Sequence, residues 1–327
     1  MVYSVHILRG ICAWMVVVHH FCFSYFDGIQ NPLPSAVQQF SFILGIGVDV
    51  FFVISGFVMS LLLQKHMSKP INAIEFTKRR LLRVLPGWWC YLALFLIATS
   101  FIEEMPYQIA WNWQSALQSA FLFPHSNLNG SGFYPVLYVG WSLTYEMFFY
   151  SLIFILLALP IKYTSAFIAL TLFVLGIIFP NNNILGQSNF FFIEFLVGFL
   201  FQKNPLFVGP FILWSTFSIF NLYGIFEAAR FALATSIFTL AISSNIKKES
   251  ITFRALKKSG DYSYSIYLSH LIIIGIVHIA IPPSNDMIKN IFALASVIIL
   301  TYLLSYISYR WIELRFQHTK NLHSRIQ

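Results

Sequence analysis

Ten apolar segments follow one another along this chain, at about 4–23, 40–63, 86–102, 138–159, 163–180, 189–202, 206–222, 226–243, 263–281 and 288–309. Most are close to the ~20 apolar residues that a helix needs to cross a bilayer. Hydrocarbon offers the backbone no water, so a spanning segment must close its own hydrogen bonds, which a helix does within itself. The pattern therefore dictates an all-α integral membrane protein, a bundle of about ten transmembrane helices. Its sixth and seventh segments are short or broken by Pro205 and Pro210, and their bounds are the loosest. Composition agrees: hydrophobic residues are 58% of 327 and charged residues only 10%, which a soluble globular chain does not show. No polar stretch is long enough to fold separately, so a single membrane domain over 1–327 is expected, with no fused soluble domain. The first segment has no basic stretch before it and no small-residue cleavage site after it. It reads as a retained anchor rather than a signal peptide.

The loops sort the charges. Lys65, Lys69, Lys78, Arg79, Arg80 and Arg83 fill the loop at 64–85, and Lys247, Lys248, Arg254, Lys257 and Lys258 fill that at 244–262. Lys162, Lys203, Arg9 and the C-terminal cations fall on the same side, and of 20 Lys and Arg only Arg230 and Lys289 do not. The positive-inside rule then places both termini and these loops in the cytoplasm. The net charge of +8 is accounted for by topology, and nucleic acid is not an expected partner. The opposite face has the loop at 103–137, which holds no Lys or Arg. Ile109, Trp113, Ala116, Leu117, Ala120 and Phe121 recur there at helical spacing, so a short interfacial helix is expected. Trp111 and Trp113 then sit in the aromatic belt or form a platform on which an external acceptor stacks. Cys12 and Cys22 are about 15 Å apart on one helix, too far to bridge. With Cys90 they show no metal-ligand spacing, so small apolar packing is their expected role.

Ionisable groups inside spans are costly and default to function. Arg9 and His20 are eleven residues apart, which on a helix is three turns plus ~20°, so both leave one face about 16 Å apart; His19 points ~80° away from Arg9. With the directions set by topology, His20 lies in the outer third, and Asp49, Glu146 and Glu194 lie in the outer half on other spans. Imidazole beside a carboxylate is what a general base needs, because the carboxylate fixes the tautomer and stabilises the imidazolium. An interhelical polar staple is the structural alternative. On the cytoplasmic side, ahead of Pro86, Arg79 and Arg83 at i, i+4 share a helical face, and arginine forks suit phosphates. On the ninth, Ser263, Tyr267 and His270 share a face. Ser41, Gly45 and Asp49 at i, i+4 spacing, with Gly56 beyond, mark a face for close helix packing. A proton-coupled transporter would use intramembrane His, Asp and Glu equally well, but the paired repeats common in such carriers are not visible.

Five stretches in order resemble the membrane acyltransferase type 3 family. They are Arg9 with His20; Gly47-Val48-Asp49-Val50-Phe51-Phe52-Val53-Ile54-Ser55-Gly56; Phe76-Thr77-Lys78-Arg79-Arg80-Leu81-Leu82-Arg83-Val84-Leu85-Pro86; Trp141-Ser142-Leu143-Thr144-Tyr145-Glu146; and Tyr262-Ser263-Tyr264-Ser265-Ile266-Tyr267-Leu268-Ser269-His270. Trp311-Ile312-Glu313-Leu314-Arg315-Phe316 resembles the closing motif without its proline, and no function is placed on it. The resemblance implies an O-acetyltransferase of the bacterial inner membrane. Acyl-coenzyme A, acetyl-coenzyme A above all, is its co-substrate, with no permanently bound cofactor or metal, and a glycan or lipid-linked sugar is the extracytoplasmic acceptor, with membrane lipids around the bundle. It implies His20 as the base, with Asp49 or Glu146 orienting it or binding the acceptor. Arg9 would hold the donor's polar arm, and Lys78, Arg79, Arg80, Arg83, Lys257 and Lys258 its phosphates. Ser263, Tyr267 and His270 would line the donor's path, and Trp141 and Trp113 would meet the acceptor. Direct transfer and a covalent acyl-enzyme both remain open.

Overall fold

The apolar segments fold as helices, and no other regular element occurs among the described residues. The computed structural model describes residues 3–26, 35–68, 73–102, 110–126, 128, 133–157, 161–179, 185, 188–201, 205–244 and 251–318. In chain order the helices are α1 (Tyr3–His20), α2 (Ser35–Leu44), α3 (Ile46–Ser68), α4 (Ala73–Phe101), α5 (Trp113–Ala120), α6 (Gly140–Leu156), α7 (Ile161–Phe173), α8 (Phe191–Phe201), α9 (Pro205–Tyr223), α10 (Ile225–Ser243), α11 (Ile251–Ala280), α12 (Met287–Ser308) and α13 (Leu314–His318). Three π-helical turns interrupt the series, at Phe21–Tyr25 after α1, Val174–Ile178 after α7 and Tyr309–Glu313 after α12.

Among the described residues six helical stretches are long and apolar enough to cross a membrane: Tyr3–Tyr25, Gln39–Gln64, Ala73–Phe101, Ile225–Ser243, Ala255–Ala280 and Met287–Phe316. Four shorter apolar helices lie at Gly140–Leu156, Thr164–Ile178, Phe191–Phe201 and Val208–Tyr223. The protein is thus a multi-pass membrane protein whose ten apolar segments are all helical, with six of full crossing length. One expectation changes. The third helix does not begin at Pro86 but thirteen residues earlier, at Ala73, and carries Pro86 inside it, so the basic cluster is helical rather than in a loop. A one-residue turn at Gly45 separates α2 from α3 inside the stretch Gln39–Gln64.

The chain forms two compact units, each assembled from three stretches. The first comprises Met1–Cys12, Ile46–Thr77 and Thr144–Lys257; the second comprises Ala13–Gly45, Lys78–Leu143 and Lys258–Gln327. In the first, α3 and α8 meet backbone to backbone. A Cβ built on Gly56 would lie 1.9 Å from the Phe195 carbonyl oxygen, and one on Gly198 would lie 1.9 Å from that of Val53, so only glycine fits at either position. Close backbone approach through small residues is how helices associate where lipid removes the hydrophobic drive. Aromatic rings fill the space beside the crossing: Phe149 and Phe195 have centroids 3.7 Å apart, and Phe52 lies 4.9 Å from Phe191.

In the second unit, polar side chains close the exposed ends of short elements. Asn112 caps α5 by accepting from the Ser115 amide, while the Ser115 hydroxyl accepts from the Asn112 amide. Such a cap is worth about 1 kcal/mol. At the other end of α5 the indoles of Trp88 and Trp89 donate to the carbonyls of Ser119 and Ala120 at 2.9 and 2.8 Å, which a helix C-terminus otherwise leaves unsatisfied. The expected short helix is therefore present, and α4 holds it. The Tyr264 hydroxyl of α11 donates to the Val84 carbonyl at 2.6 Å, next to the proline of α4. Between α11 and α12 runs a polar seam: Ser265 lies 3.0 Å from Ser308 and donates to Glu313 at 2.5 Å, and Ser269 lies 3.4 Å from Ser305.

Candidate active site

His20 is the last residue of α1 before the helix widens into the π-helical turn Phe21–Tyr25, a distortion that recurs at functional sites. Its ring is buried, 7% exposed. Nδ1 lies 3.0 Å from the Val16 carbonyl oxygen, one turn back. Nδ1 also lies 3.1 Å from Nε2 of His270, itself fully buried on α11, with ring centroids 4.9 Å apart. His270 Nδ1 in turn lies 3.3 Å from the Ile266 carbonyl. Within this unit a hydrogen-bonding partner of His20 is thus a second imidazole, that of His270. His19 takes a different course: its Nδ1 is 2.8 Å from the Ser41 carbonyl, and it is half-buried.

The wall around the pair is tyrosine and serine together with His19, whose ring centroid is 4.9 Å from that of His20. Tyr138 lies 6.4 Å from His20 between ring centroids, and the Tyr134 ring lies tilted 4.8 Å from that of Tyr138. The Tyr267 ring is 5.9 Å from that of His270; its hydroxyl donates to the Val139 carbonyl at 3.1 Å and lies 2.7 Å from Ser142 Oγ. Ser263 is buried and donates to the Gly260 carbonyl. Trp141 is half-buried at the start of α6, whereas Trp113 on α5 is 83% exposed. The cations of this unit stand on helices: Lys78 and Arg79 exposed and Arg80 and Arg83 half-exposed on α4, and Lys258 exposed on α11.

The first unit holds a second polar cluster. Asp49, fully buried, accepts from Arg230 at 2.7 Å, and the Arg230 side chain is 25% exposed. Glu194, also fully buried, lies beside them at the start of α8. The Arg230 guanidinium carbon sits 5.7–6.0 Å from the ring centroids of Phe190, Phe191 and Phe226, a cation–π setting that suits a partly desolvated arginine. The expected common depth of Asp49 and Glu194 thus becomes a shared cluster, and its cation is a residue the sequence argument left on the external face. Glu146, half-buried on α6, accepts from the Tyr150 hydroxyl one turn on. Arg9 is half-buried on α1, which is unbroken from Tyr3 to His20, so its eleven-residue spacing from His20 is helical throughout. Lys257 is exposed on α11.

Sequence reasoning missed Arg230 and Tyr150 as partners, and it named His270 without its contact to His20. One signal pointed to Arg230: it is one of two cations off the basic side, and it opens an apolar segment. Such a charge needs a counter-charge.

The family model described as an acyltransferase domain matches residues 2–310. The chain belongs to this acyltransferase family. The exopolysaccharide production protein ExoZ of Rhizobium meliloti (strain 1021) is 28% identical over 250 residues, 71% of this chain and 77% of that protein. BcsY of Komagataeibacter xylinus, whose name describes a membrane-bound transacylase, is 37% identical over 133 residues, 36% of this chain and 31% of that protein. No solved structure matches the chain. The five stretches on which the resemblance rests all lie inside the matched residues.

Proposed function

We propose that the protein is an O-acetyltransferase that moves an acetyl group from acetyl-coenzyme A, bound from the cytoplasm, to a hydroxyl of an extracytoplasmic polysaccharide. The observation that carries the reading is a buried, hydrogen-bonded imidazole, His20, inside the first membrane helix of an acyltransferase-family chain. A histidine there is expensive unless it works. The polysaccharide part rests on ExoZ, whose name assigns it to exopolysaccharide production.

In the reaction the acceptor oxygen attacks the thioester carbonyl carbon while His20 Nε2 takes the hydroxyl proton. The tetrahedral adduct collapses with cleavage of the carbon–sulfur bond, the imidazolium returns the proton to the departing sulfur, and an ester and free coenzyme A result. Arg9, about three helical turns towards the cytoplasm on the same helix, holds the donor's polar arm. Lys78, Arg79, Arg80, Arg83 and Lys258 supply charge for its phosphates, which arginine forks bind bidentately. Both termini and these cations face the cytoplasm of a bacterial inner membrane.

The test is transfer of label from radiolabelled acetyl-coenzyme A into the polysaccharide fraction of membranes carrying the protein. Label is expected with the wild type and is lost with His20→Ala. Equal incorporation by the two at equal protein levels removes His20 from the chemistry. Failure of the purified protein to bind coenzyme A removes the donor.

A further inference from the structure

We infer that His270 is a positioning residue for His20: it holds the imidazole in the tautomer whose Nε2 carries the lone pair. The inference rests on the reading of His20 as the base and deepens it. Which atoms can donate fixes the tautomer. A carbonyl oxygen only accepts, so the ring nitrogen facing it must carry a hydrogen. Nδ1 of His20 faces the Val16 carbonyl at 3.0 Å, and Nδ1 of His270 faces the Ile266 carbonyl at 3.3 Å. A neutral imidazole has one N–H, so Nε2 of His270 is an acceptor, and it sits 3.1 Å from His20 Nδ1. The His20 Nδ1–H is therefore shared between two acceptors, one on its own helix and one on α11. Moving the proton to Nε2 would set a bare Nδ1 against the carbonyl and lose both bonds.

Burial makes the preference firm. Both rings are buried, and a buried polar group left without its bond is costly. The helix that carries His270 is itself tied down on another face: Ser265 and Ser269 bond across to Ser308, Glu313 and Ser305. When His20 Nε2 accepts the acceptor's proton, the ring becomes an imidazolium with two N–H groups. Nδ1–H then points at the His270 lone pair, which strengthens that bond as charge develops. His270 is thus an acceptor that answers the imidazolium without bringing a charge of its own into the membrane.

The experiment labels the full-length protein with ¹⁵N-histidine in lipid nanodiscs. The His20 ring is assigned by its loss in His20→Asn, and its tautomer is read from ¹⁵N shifts and long-range ¹H–¹⁵N correlations. The expected wild-type pattern is a protonated Nδ1 and a bare Nε2. In His270→Leu the pattern shifts towards a mixture of tautomers, and kcat with labelled acetyl-coenzyme A falls by about tenfold or more while the donor KM stays put. His270→Gln, whose amide oxygen can still accept from Nδ1–H, recovers the wild-type tautomer and part of kcat. A wild-type His20 protonated at Nε2 overturns the inference without any variant. So does His270→Leu with unchanged tautomer and kcat, and so does a raised donor KM with intact kcat, which would make His270 a donor contact instead. If His20→Ala keeps full transfer, the base reading falls, and the spectra still decide whether His270 orients the ring.

Discussion

An ionisable side chain inside a membrane helix has to meet a polar partner, because lipid supplies none. His20 meets a second imidazole and a carbonyl; Asp49 meets a guanidinium. The two arrangements respond to mutation differently. His20→Ala is expected to abolish transfer, while His19→Ala keeps most of it, because His19 is turned to the Ser41 carbonyl on α2 and points ~80° from the Arg9–His20 face. Equal losses from both, at equal protein levels in the acetyl-transfer assay, would remove the distinction. At Asp49 the expected effect is on stability. Taking away either member of a buried ion pair strands the other and costs about 3–5 kcal/mol, whereas removing both costs less. Asp49→Leu and Arg230→Leu should therefore each lower the thermal midpoint of the detergent-solubilised protein more than the double variant does. Additive losses would mean the pair is uncoupled. Asp49 and Glu194 could be read as sharing a depth because depth follows from counting residues along alternating spans. That Arg230 answers them could not be, since it depends on how α3, α8 and α10 rotate about their axes, and apolar periodicity is too uniform in a membrane helix to show that.

At the scale of the helix, two kinds of residue decided what was legible. Long apolar runs announced α1, α3, α10, α11 and α12 plainly, and the capping residues Asn112 and Ser115 agree with the short helix expected in the loop. Pro86 misled: it has no backbone N–H and usually ends or starts a helix, yet α4 runs through it from Ala73 to Phe101. Gly56 could be read as a packing residue, but its counterpart Gly198 is hidden in a run of phenylalanines. The contact is severe enough to test. A methyl group at either glycine meets backbone rather than a side chain that could swing away, so α3 and α8 must separate. Overpacking costs about 1–3 kcal/mol. Gly56→Ala and Gly198→Ala are each expected to lower the thermal midpoint in detergent, while Leu240→Ala, on a 71% exposed position of α10, changes it little. A midpoint unaffected by both glycine variants would mean that the crossing is looser than drawn.

Along the whole sequence the cations gather in a few stretches, and the gathering has two possible causes that must be separated. Cations on the cytoplasmic face orient a membrane protein whatever it binds, and the same cations on α4 are proposed to hold the donor's phosphates. The chemistry of transfer distinguishes them. Phosphates of coenzyme A do not change between the bound donor and the transition state, so contacts to them are uniform binding; their loss raises KM and leaves kcat alone. Arg79, Arg80 and Arg83 lie within two turns of one helix and are at least partly exposed, so truncating them should remove charge without breaking a core. The Arg79→Ala/Arg80→Ala/Arg83→Ala variant is expected to raise the acetyl-coenzyme A KM by about tenfold or more, each charge-assisted phosphate bond being worth about 1.5–3 kcal/mol before solvent screening. kcat should hold within about twofold. Labelling of single cysteines from either side of sealed vesicles checks that the variant keeps its orientation. An unchanged donor KM in a correctly oriented variant would reduce the cluster to its topological role and move the phosphate site elsewhere. A fall in kcat at unchanged KM would place these arginines closer to the reacting thioester than their position on α4 implies.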